Sequence, residues 1–294
     1  MDDPLYGCVE AGGTKFVLGI ARGPNELIAT ERIPTTTPDE TLGRMRTWFA
    51  AHDIAAFGIA SFGPVVLDHA DPRWGRIVDT PKPGWNGANI AGALADFGVP
   101  IGFDTDVNGA AIAEARWGAG QGADSLVYIT VGTGIGGGGV VGGRPIHGAR
   151  HPEMGHVRVS RHPDDLVFPG ICPFHGDCAE GLANGPAIIA RWGASLSELP
   201  GDHPAHAIVA YYLAQMVQNV VAIMSPYIVV LGGGVMGTPG LLDHVVRAYH
   251  VMAGGYFGEP ADLIRPPGLG ERSGLLGALA LAMDAATAGS RRPR

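Results

Sequence analysis

Two segments of the chain share one pattern, in which an apolar strand, a glycine turn and a second apolar strand follow one another. The first, residues 6–20, reads YGCVEAGGTKFVLGI, and the second, residues 125–143, reads SLVYITVGTGIGGGGVVGG. Apolar runs on either side of a short glycine turn are typical of β-hairpins. The repeat predicts two related half-domains, each beginning with a hairpin whose glycine turn points into a shared cleft.

The stretches that follow the hairpins alternate between strand and helix patterns, which predicts an α/β fold. Short apolar runs suited to buried strands occur at residues 57–66, 99–104 and 227–231. Apolar positions at helical spacing occur at residues 183–192, 206–223 and 275–286. The last of these is expected to be a core helix, followed by a frayed tail at Arg291–Arg294.

Three polar side chains lie at the carboxyl end of the strand at residues 99–104 and at the start of the alanine-rich helix that follows it. Asp104 and Asp106 fall on one side of the strand if it extends that far, and Asn108 lies at the start of the helix. Ligands of open α/β sheets gather at this carboxyl edge. The alternative is that Asp106 or Asn108 only caps the helix, which is a common role for either residue type.

The glycine turns of the two hairpins can bring backbone amides close to phosphate groups. In the first turn, Thr14 and Lys15 add donors, and Glu10 is a carboxylate in an apolar strand, where it needs a cation or water. A plain structural hairpin is the alternative for this turn. The second turn, Gly132-Thr133-Gly134, is followed by a strand rather than a helix, which disfavours a Rossmann dinucleotide site.

Residues 151–180 contain histidines and cysteines at metal-ligand spacing. They are Cys172, His175 and Cys178, three residues apart from one another, and His156 upstream. Zinc favours two thiolates with two imidazoles, and a site with all four positions filled by protein is structural. The alternative is two unrelated buried cysteines among loop histidines. Glu153 and Glu180 bracket the cluster, so a bound metal would also fix two carboxylates around a polar ligand.

Composition limits the partners of this protein. Its 294 residues carry 20 basic and 28 acidic side chains, a net charge of −8, and phosphate binding by nucleic-acid proteins needs a basic surface. Three cysteines do not form a disulfide framework. The first residues lack a signal-peptide pattern, and no uncharged apolar run is expected to be long enough to cross a bilayer. We therefore expect a soluble cytoplasmic protein with neither a nucleic-acid nor a membrane partner.

Taken together, these features resemble the ROK family of sugar kinases, and within it the bacterial fructokinase branch. The matching motifs, in family order, are EAGGTK (Glu10–Lys15), SFGPV (Ser61–Val65), TDVN (Thr105–Asn108), ITVGTGIGGG (Ile129–Gly138), HPEMGH (His151–His156), CPFHGDC (Cys172–Cys178), EGLANGPAI (Glu180–Ile188), LGGGVM (Leu231–Met236) and SGLLGALALA (Ser273–Ala282). Each glycine motif alone is unspecific, but their joint agreement over nearly the whole chain is highly specific.

The resemblance implies an actin-like ATPase fold, in which two RNase H-like α/β domains close on a central cleft. On this basis we expect a first domain over residues 1–111, with a terminal helix at residues 275–294 packing back on it. A second domain, with the zinc loop, is expected over residues 112–274. The resemblance also suggests a homodimer.

The resemblance further implies a role for each matching site residue. Asp106 is the expected general base. The side chains expected to bind sugar are Asn108, Glu153, His156 and Glu180. ATP and Mg²⁺ are expected at Glu10, Gly12, Gly13, Thr14, Lys15, Gly132, Thr133, Gly134, Gly233 and Gly234. The expected ligands of a structural zinc ion are His156, Cys172, His175 and Cys178.

The activity implied is ATP-dependent phosphorylation of a hexose at its 6-hydroxyl, with fructose as the expected sugar. Glu10 and Thr105 stand where many glucokinase-like members have aspartate and asparagine, and His175 replaces a thiolate; the Glu10 motif and the two-cysteine, two-histidine set favour fructose. The alternatives are a kinase for mannose, glucose or an N-acetylhexosamine, and a sugar-responsive repressor of the same family. Such repressors add an N-terminal helix-turn-helix domain, which is not visible before the first strand.

Overall fold

The first half of the chain forms a five-stranded mixed sheet in the computed structural model, which describes residues 3–258 and 262–290. Its strands are β1 (Tyr6–Ala11), β2 (Lys15–Gly23), β3 (Glu26–Pro34), β4 (Ala56–Ser61) and β5 (Ile101–Thr105). Their order is β3-β2-β1-β4-β5. The pairs β1/β2 and β2/β3 are antiparallel, and β1/β4 and β4/β5 are parallel.

The second half repeats this sheet. Its strands are β6 (Ser125–Val131), β7 (Ile135–Val141), β8 (Arg144–Pro145), β9 (Ile228–Gly232) and β10 (Ile264–Arg265), in the order β10-β9-β6-β7-β8. Here β6/β7 and β7/β8 are antiparallel, while β6/β9 and β9/β10 are parallel. The order and directions match those of the first sheet strand for strand. The predicted internal repeat and the α/β fold are therefore confirmed.

Seven α-helices complete the described part of the chain. They are α1 (Pro38–Phe49), α2 (Asp106–Trp117), α3 (Ala179–Ala183), α4 (Gly185–Trp192), α5 (Ala205–Met224), α6 (Leu241–Ala253) and α7 (Ser273–Ser290). Short 3-10 helices lie at Gly92–Phe97, Met154–His156, Leu196–Glu198, Val235–Gly237 and Gly270–Arg272. The helix predicted over residues 183–192 begins two residues later, because the Asn184 side chain accepts a hydrogen bond from the Ala187 amide and so caps α4.

The helices α2 and α7 lie between the two sheets. Successive side chains of β6 therefore pack in two different cores, since they point to opposite faces of the sheet. Val127 and Ile129 pack in the outer core with α5, whereas Leu126 and Tyr128 pack in the central core with α2 and α7. A third core, on the outer face of the first sheet, includes residues of α1.

Glycines allow α7 to lie very close to its neighbours. A Cβ atom on Gly58 of β4 would lie 1.8 Å from the carbonyl oxygen of Ala278. A Cβ atom on Gly277 would lie 2.3 Å from the carbonyl carbon of Gly109 in α2. The last helix therefore packs directly on the first sheet and on α2. The expected division between residues 111 and 112 falls within α2 and stays a prediction, and residues 291–294 lie outside the described part of the chain.

Among the described residues, α5 is the one helix long and apolar enough to cross a membrane, judged by length and composition alone. The expectation that no uncharged apolar run reaches this length is therefore wrong. Burial explains the composition, because 56% of the apolar window is buried inside the protein. Val209, Leu213 and Met216 of this helix belong to the outer core of the second sheet.

Candidate active site

A cleft of about 820 Å³ lies between the two halves and is lined by residues of both. The predicted site residues in its lining are Gly13, Thr14, Asp106, Gly132, Thr133, Gly134, Glu153, His156 and Glu180. Those outside the lining are Glu10, Gly12, Lys15, Asn108, Cys172, His175, Cys178, Gly233 and Gly234. Of the predicted residues, the cleft thus brings together one aspartate, two glutamates, a histidine and both glycine turns.

Asp106 is the first residue of α2, directly after β5. Thr105, rather than Asp106 or Asn108, is the N-cap of this helix, and its Oγ1 accepts a hydrogen bond from the Asn108 amide at 3.1 Å. The Asp106 carboxylate is therefore not needed to cap the helix and lines the cleft instead. The sequence left this point open, since either residue type is a common cap.

Burial raises the pKa of Asp106 to about 7, and the negative charges of Glu10 and Glu153 raise it as well. A hydrogen bond from the Val107 amide lowers it, at an N–Oδ1 distance of 2.9 Å. A carboxyl group with a pKa near the working pH is suited to accept a proton in a reaction, because both protonation states are accessible.

Asn108 is fully buried behind the cleft. Its Nδ2 donates to Asp104 Oδ1 at 2.8 Å, and its Oδ1 has no hydrogen-bond partner among the described residues. Asp104 Oδ2 lies 2.9 Å from Nε2 of His147, and this hydrogen bond raises the pKa of His147. Asn108 therefore orients Asp104 and the loop after β8, and its expected contact with a sugar hydroxyl stays a prediction.

The first glycine turn is fixed from both sides. The Gly12 amide donates to the Lys15 carbonyl at 3.0 Å, and the Thr35 hydroxyl donates to the Gly12 carbonyl at 2.7 Å. Gly13 and Thr14, at the tip, are exposed and line the cleft. The turn is thus rigid, with its tip facing the space where a phosphate could lie.

The second glycine turn is tied to α4. The Gly132 amide donates to the Gly134 carbonyl at 2.8 Å, and the Gly132 carbonyl accepts from the Gly185 amide at 2.7 Å. Gly233, after β9, has a φ of 93°. A Cβ atom there would lie 2.4 Å from the Val131 carbonyl oxygen, so only glycine lets the chain lie against β6. Gly233 and Gly234 therefore adjoin the second turn.

Glu10 lies beneath the first turn of α7. A Cβ atom on Gly274 would lie 2.5 Å from the Glu10 carboxyl carbon. Burial raises the pKa of Glu10, while the charges of Lys15 and Arg32 lower it. Because Glu10 also raises the pKa of Asp106, the two carboxylates repel each other. Carboxylate oxygens suit Mg²⁺, which would remove this repulsion, so the residues fit the expected cation.

Glu153 and Glu180 face the cleft from the second half. Glu180 Oε2 accepts a hydrogen bond from the Ile135 amide at 2.9 Å, which leaves Oε1 for a ligand. Glu153 Oε2 lies 4.0 Å from Nε2 of His156. Burial raises the pKa of Glu153, and the charge of Glu180 raises it further. The two carboxylates therefore stand close enough to interact across the cleft.

The four predicted zinc ligands come together at one point. Nδ1 of His156 lies 3.3 Å from Nδ1 of His175, 3.7 Å from Sγ of Cys172 and 3.6 Å from Sγ of Cys178. All four donor atoms lie within 4.8 Å of one another. A tetrahedral zinc ion with bonds of about 2.0–2.3 Å holds its ligands about 3.3–3.8 Å apart. The donor set and its spacing therefore fit zinc.

The orientation of His156 also agrees with a cation at this point. Burial raises the pKa of Cys178 to about 11, whereas a bound cation would favour its thiolate. His156 directs Nδ1 toward the sulfur atoms and Nε2 toward Glu153. A histidine that binds a metal commonly turns its second nitrogen to a carboxylate, which fixes the ring.

Sequence reasoning missed several residues of the cleft. His151 and Arg150 line it, and Arg150 forms an ion pair with Asp79 at 3.0 Å. His151 is 7% exposed and contacts the first half of the chain. The available signal was its position two residues before Glu153, which puts both side chains on one side of an extended segment.

Comparison with known proteins agrees with this geometry. Residues 6–285 match the model of the ROK family. A fructokinase from Zymomonas mobilis is 49% identical over 296 residues, which cover 97% of this chain and 98% of that protein. The aligned region includes nearly all of both sheets and the cleft.

Two solved structures share the fold. A ROK hexokinase from Thermus thermophilus has a TM-score of 0.75 at 28% identity, covering 97% of this chain and 100% of that one. A ROK family glucokinase from Streptomyces griseus, in complex with glucose and AMPPNP, has a TM-score of 0.75 at 25% identity, covering 95% and 99%. The expected actin-like ATPase fold is confirmed, and the chain belongs to the ROK family.

Proposed function

We propose that this protein is an ATP-dependent hexose kinase that phosphorylates fructose at its 6-hydroxyl group. The observation that carries the proposal is Asp106, a carboxylate with a raised pKa in a cleft that the two glycine turns, Glu153 and Glu180 also line. Membership of the ROK family and 49% identity to a fructokinase over nearly the whole chain support the choice of reaction and of sugar.

In the proposed reaction, Asp106 accepts the proton of the sugar 6-hydroxyl. The hydroxyl oxygen then attacks the γ-phosphorus of ATP in line, the bond to the β-phosphate oxygen breaks, and ADP leaves. Positioning and charge neutralisation carry most of the catalysis in such transfers. The fixed turns at Gly12–Lys15 and Gly132–Gly134 would supply backbone amides to the phosphates, and Gly233 and Gly234 would border the adenosine.

The proposed sugar contacts come from the second half. Glu153, His156 and the free oxygen of Glu180 would bind hydroxyl groups, and Asn108 would contribute through its place behind Asp104. Glu10 would lie near Mg²⁺, which supplies positive charge to the ATP phosphates when bound. A structural zinc ion on the His156 cluster would hold residues 157–178 in one conformation and so keep the two glutamates in position.

We further propose that the protein works in the cytoplasm as a homodimer, without nucleic acid or membrane as partner. The net charge of −8 supports the absence of a nucleic-acid partner. Cys8, Cys172 and Cys178 are free thiols, which supports a cytoplasmic location. The resemblance to ROK kinases supports the dimer, and light scattering on the purified protein tests it.

The proposed function is tested by measuring ADP release with fructose, mannose, glucose and N-acetylhexosamines. We expect the highest kcat/KM with fructose and fructose 6-phosphate as the product. A clear preference for another hexose would support the kinase activity but assign a different sugar as the substrate. No sugar-dependent ADP release by a protein with a full complement of zinc would overturn the kinase assignment.

A further inference from the structure

His151 forms a contact between the two halves of the molecule. Its Nε2 accepts a hydrogen bond from the backbone amide of Val65 at 3.0 Å, and both groups are buried. Val65 follows β4 of the first sheet, whereas His151 follows β8 of the second. Both His151 and the neighbouring Gly63-Pro64 segment line the cleft. This hydrogen bond therefore spans the cleft where the sugar is proposed to bind.

The Val65 hydrogen bond fixes the proton on the other nitrogen of His151. A backbone N–H can only donate, so Nε2 must be the unprotonated acceptor and Nδ1 must carry the hydrogen. Burial lowers the pKa of His151, and the charge of Arg150 lowers it further, so the ring is neutral. Nδ1 lies 3.4 Å from Oε1 of Glu153, which places its hydrogen beside that carboxylate.

A donor on this side would fix the orientation of the Glu153 carboxylate in the cleft. Its side chain is 47% exposed, is repelled by the charge of Glu180 and is attracted by that of Arg150. On its other side, Oε2 lies 4.0 Å from Nε2 of His156. The carboxylate thus stands between two imidazoles, one of which is set by the proposed metal and the other by the Val65 amide.

We propose that His151 is a positioning residue for sugar binding, which acts through Glu153 and orients its carboxylate toward the sugar hydroxyls. The ring holds the Glu153 carboxylate of the second half at a fixed position relative to the Val65 amide of the first half. The sugar subsite is then complete only when the two halves hold their present spacing. This inference rests on the proposed function, in which Glu153 binds a hydroxyl group.

Two matched variants test the roles of the two ring nitrogens separately. In His151→Gln the side-chain oxygen reaches the place of Nε2 and can accept from Val65, but the donor toward Glu153 is lost. In His151→Asn the amide nitrogen stands in the place of Nδ1 and can donate to Glu153. We expect His151→Gln to raise the fructose KM about tenfold, the loss typical of a hydrogen bond to a charged group.

The same variants report on other quantities. We expect an unchanged ATP KM and zinc content in both, and a fructose KM in His151→Asn that lies closer to wild type than in His151→Gln. In a Glu153→Ala background, which removes the acceptor, adding His151→Gln should change the fructose KM less than about twofold, because the pair acts as a unit. A purely structural role would instead lower the melting temperature and raise both KM values.

The outcomes distinguish this inference from the proposed function. A wild-type protein without fructose-dependent ADP release overturns the proposed function, and with it the role of Glu153 in sugar binding. An active wild type with a normal fructose KM in His151→Gln overturns this inference alone, as do additive effects in the double variant. NMR of the ring nitrogens gives an independent check, since a protonated Nε2 in the free protein contradicts the assigned hydrogen bond.

Discussion

The carboxylate of Glu180 accepts a hydrogen bond from the backbone amide of Ile135 at 2.9 Å. Ile135 begins β7, directly after the glycine turn proposed to hold phosphate, whereas Glu180 lies in α3, two residues past Cys178, a proposed zinc ligand. One oxygen of this side chain therefore fixes the start of β7, beside the proposed phosphate site, and the other is available to a ligand in the cleft. The proposed phosphate and sugar sites would share this single carboxylate.

This relationship predicts different effects for two substitutions of Glu180. Glu180→Gln keeps an oxygen that can accept from Ile135, so we expect a raised fructose KM with a nearly unchanged ATP KM. Glu180→Ala loses both contacts and leaves a buried amide unpaired, which typically costs about 1–3 kcal/mol, so both KM values should rise. Steady-state kinetics with each substrate varied in turn provides the test. Equal effects of the two variants on the ATP KM would show that the Ile135 contact is unimportant.

Asp106→Asn should remove the proton acceptor while keeping the size of the side chain. A positioned general base typically contributes about 10²- to 10⁴-fold to the rate, so we expect kcat to fall by at least about 10²-fold. Fructose affinity, measured by calorimetry, should stay within a few-fold of wild type. Wild-type turnover in this variant would rule out Asp106 as the base.

The raised pKa of Asp106 predicts an acidic limb in the pH–rate profile. A general base must be ionised to act, so kcat/KM for fructose should rise with pH and level off above about 7. This parameter reports the free enzyme, in which the bound cation does not yet lower the pKa. A coupled assay between pH 5 and pH 9, with the coupling enzymes in excess, measures it. A profile that is flat between pH 5 and 8 would contradict the assignment.

The same pKa makes a prediction about stability. Folding raises the pKa of Asp106, so the folded protein binds this proton more tightly, and stability is lost as pH rises from the unfolded value toward about 7. Asp106→Asn should therefore be more stable than wild type by up to a few kcal/mol, because each unit of pKa shift corresponds to about 1.36 kcal/mol. The gap in melting temperature should be small near pH 4 and largest near pH 8.

Removal of zinc should weaken the binding of the sugar rather than that of the nucleotide. Cys172→Ser breaks the proposed site, and Cys8→Ser serves as a control because Cys8 is buried in the first half, away from the cluster. We expect Cys172→Ser to lose bound zinc, to increase hydrogen exchange over residues 157–178 and to raise the fructose KM. A zinc-free protein with an unchanged fructose KM would mean that the metal does not order the sugar site.

The parts of the site that the sequence predicts are those set by local spacing. Cys172, His175 and Cys178 lie three residues apart, and this local spacing already predicts that their donor atoms lie together, as they do. Asp106 follows from a strand that ends where a helix starts, a junction that parallel sheets expose at one edge. The repeated glycine hairpins likewise depend only on neighbouring residues, and they reappear as β1/β2 and β6/β7.

What the sequence could not supply depends on contacts between distant segments. His151 and Val65 are 86 residues apart, and no periodic pattern links them. The Glu114 carboxylate accepts from the amides of Ala119, Gly268 and Leu269 and from the Ser273 hydroxyl, which joins α2 to the start of α7. A lone glutamate in an alanine-rich helix gives no sign of this, because any exposed helical position accepts glutamate equally well.

The close crossing of α7 with α2 at Gly277 and Gly109 affects how the protein is made. The ribosome releases the first sheet early, but the helix that covers its inner face is the last to emerge. Until then, the apolar surface of β4 and β5 stays open to solvent and to other nascent chains. A truncation before Ser273 should therefore yield aggregated protein, although the deleted segment lies at the far end of the chain from that surface.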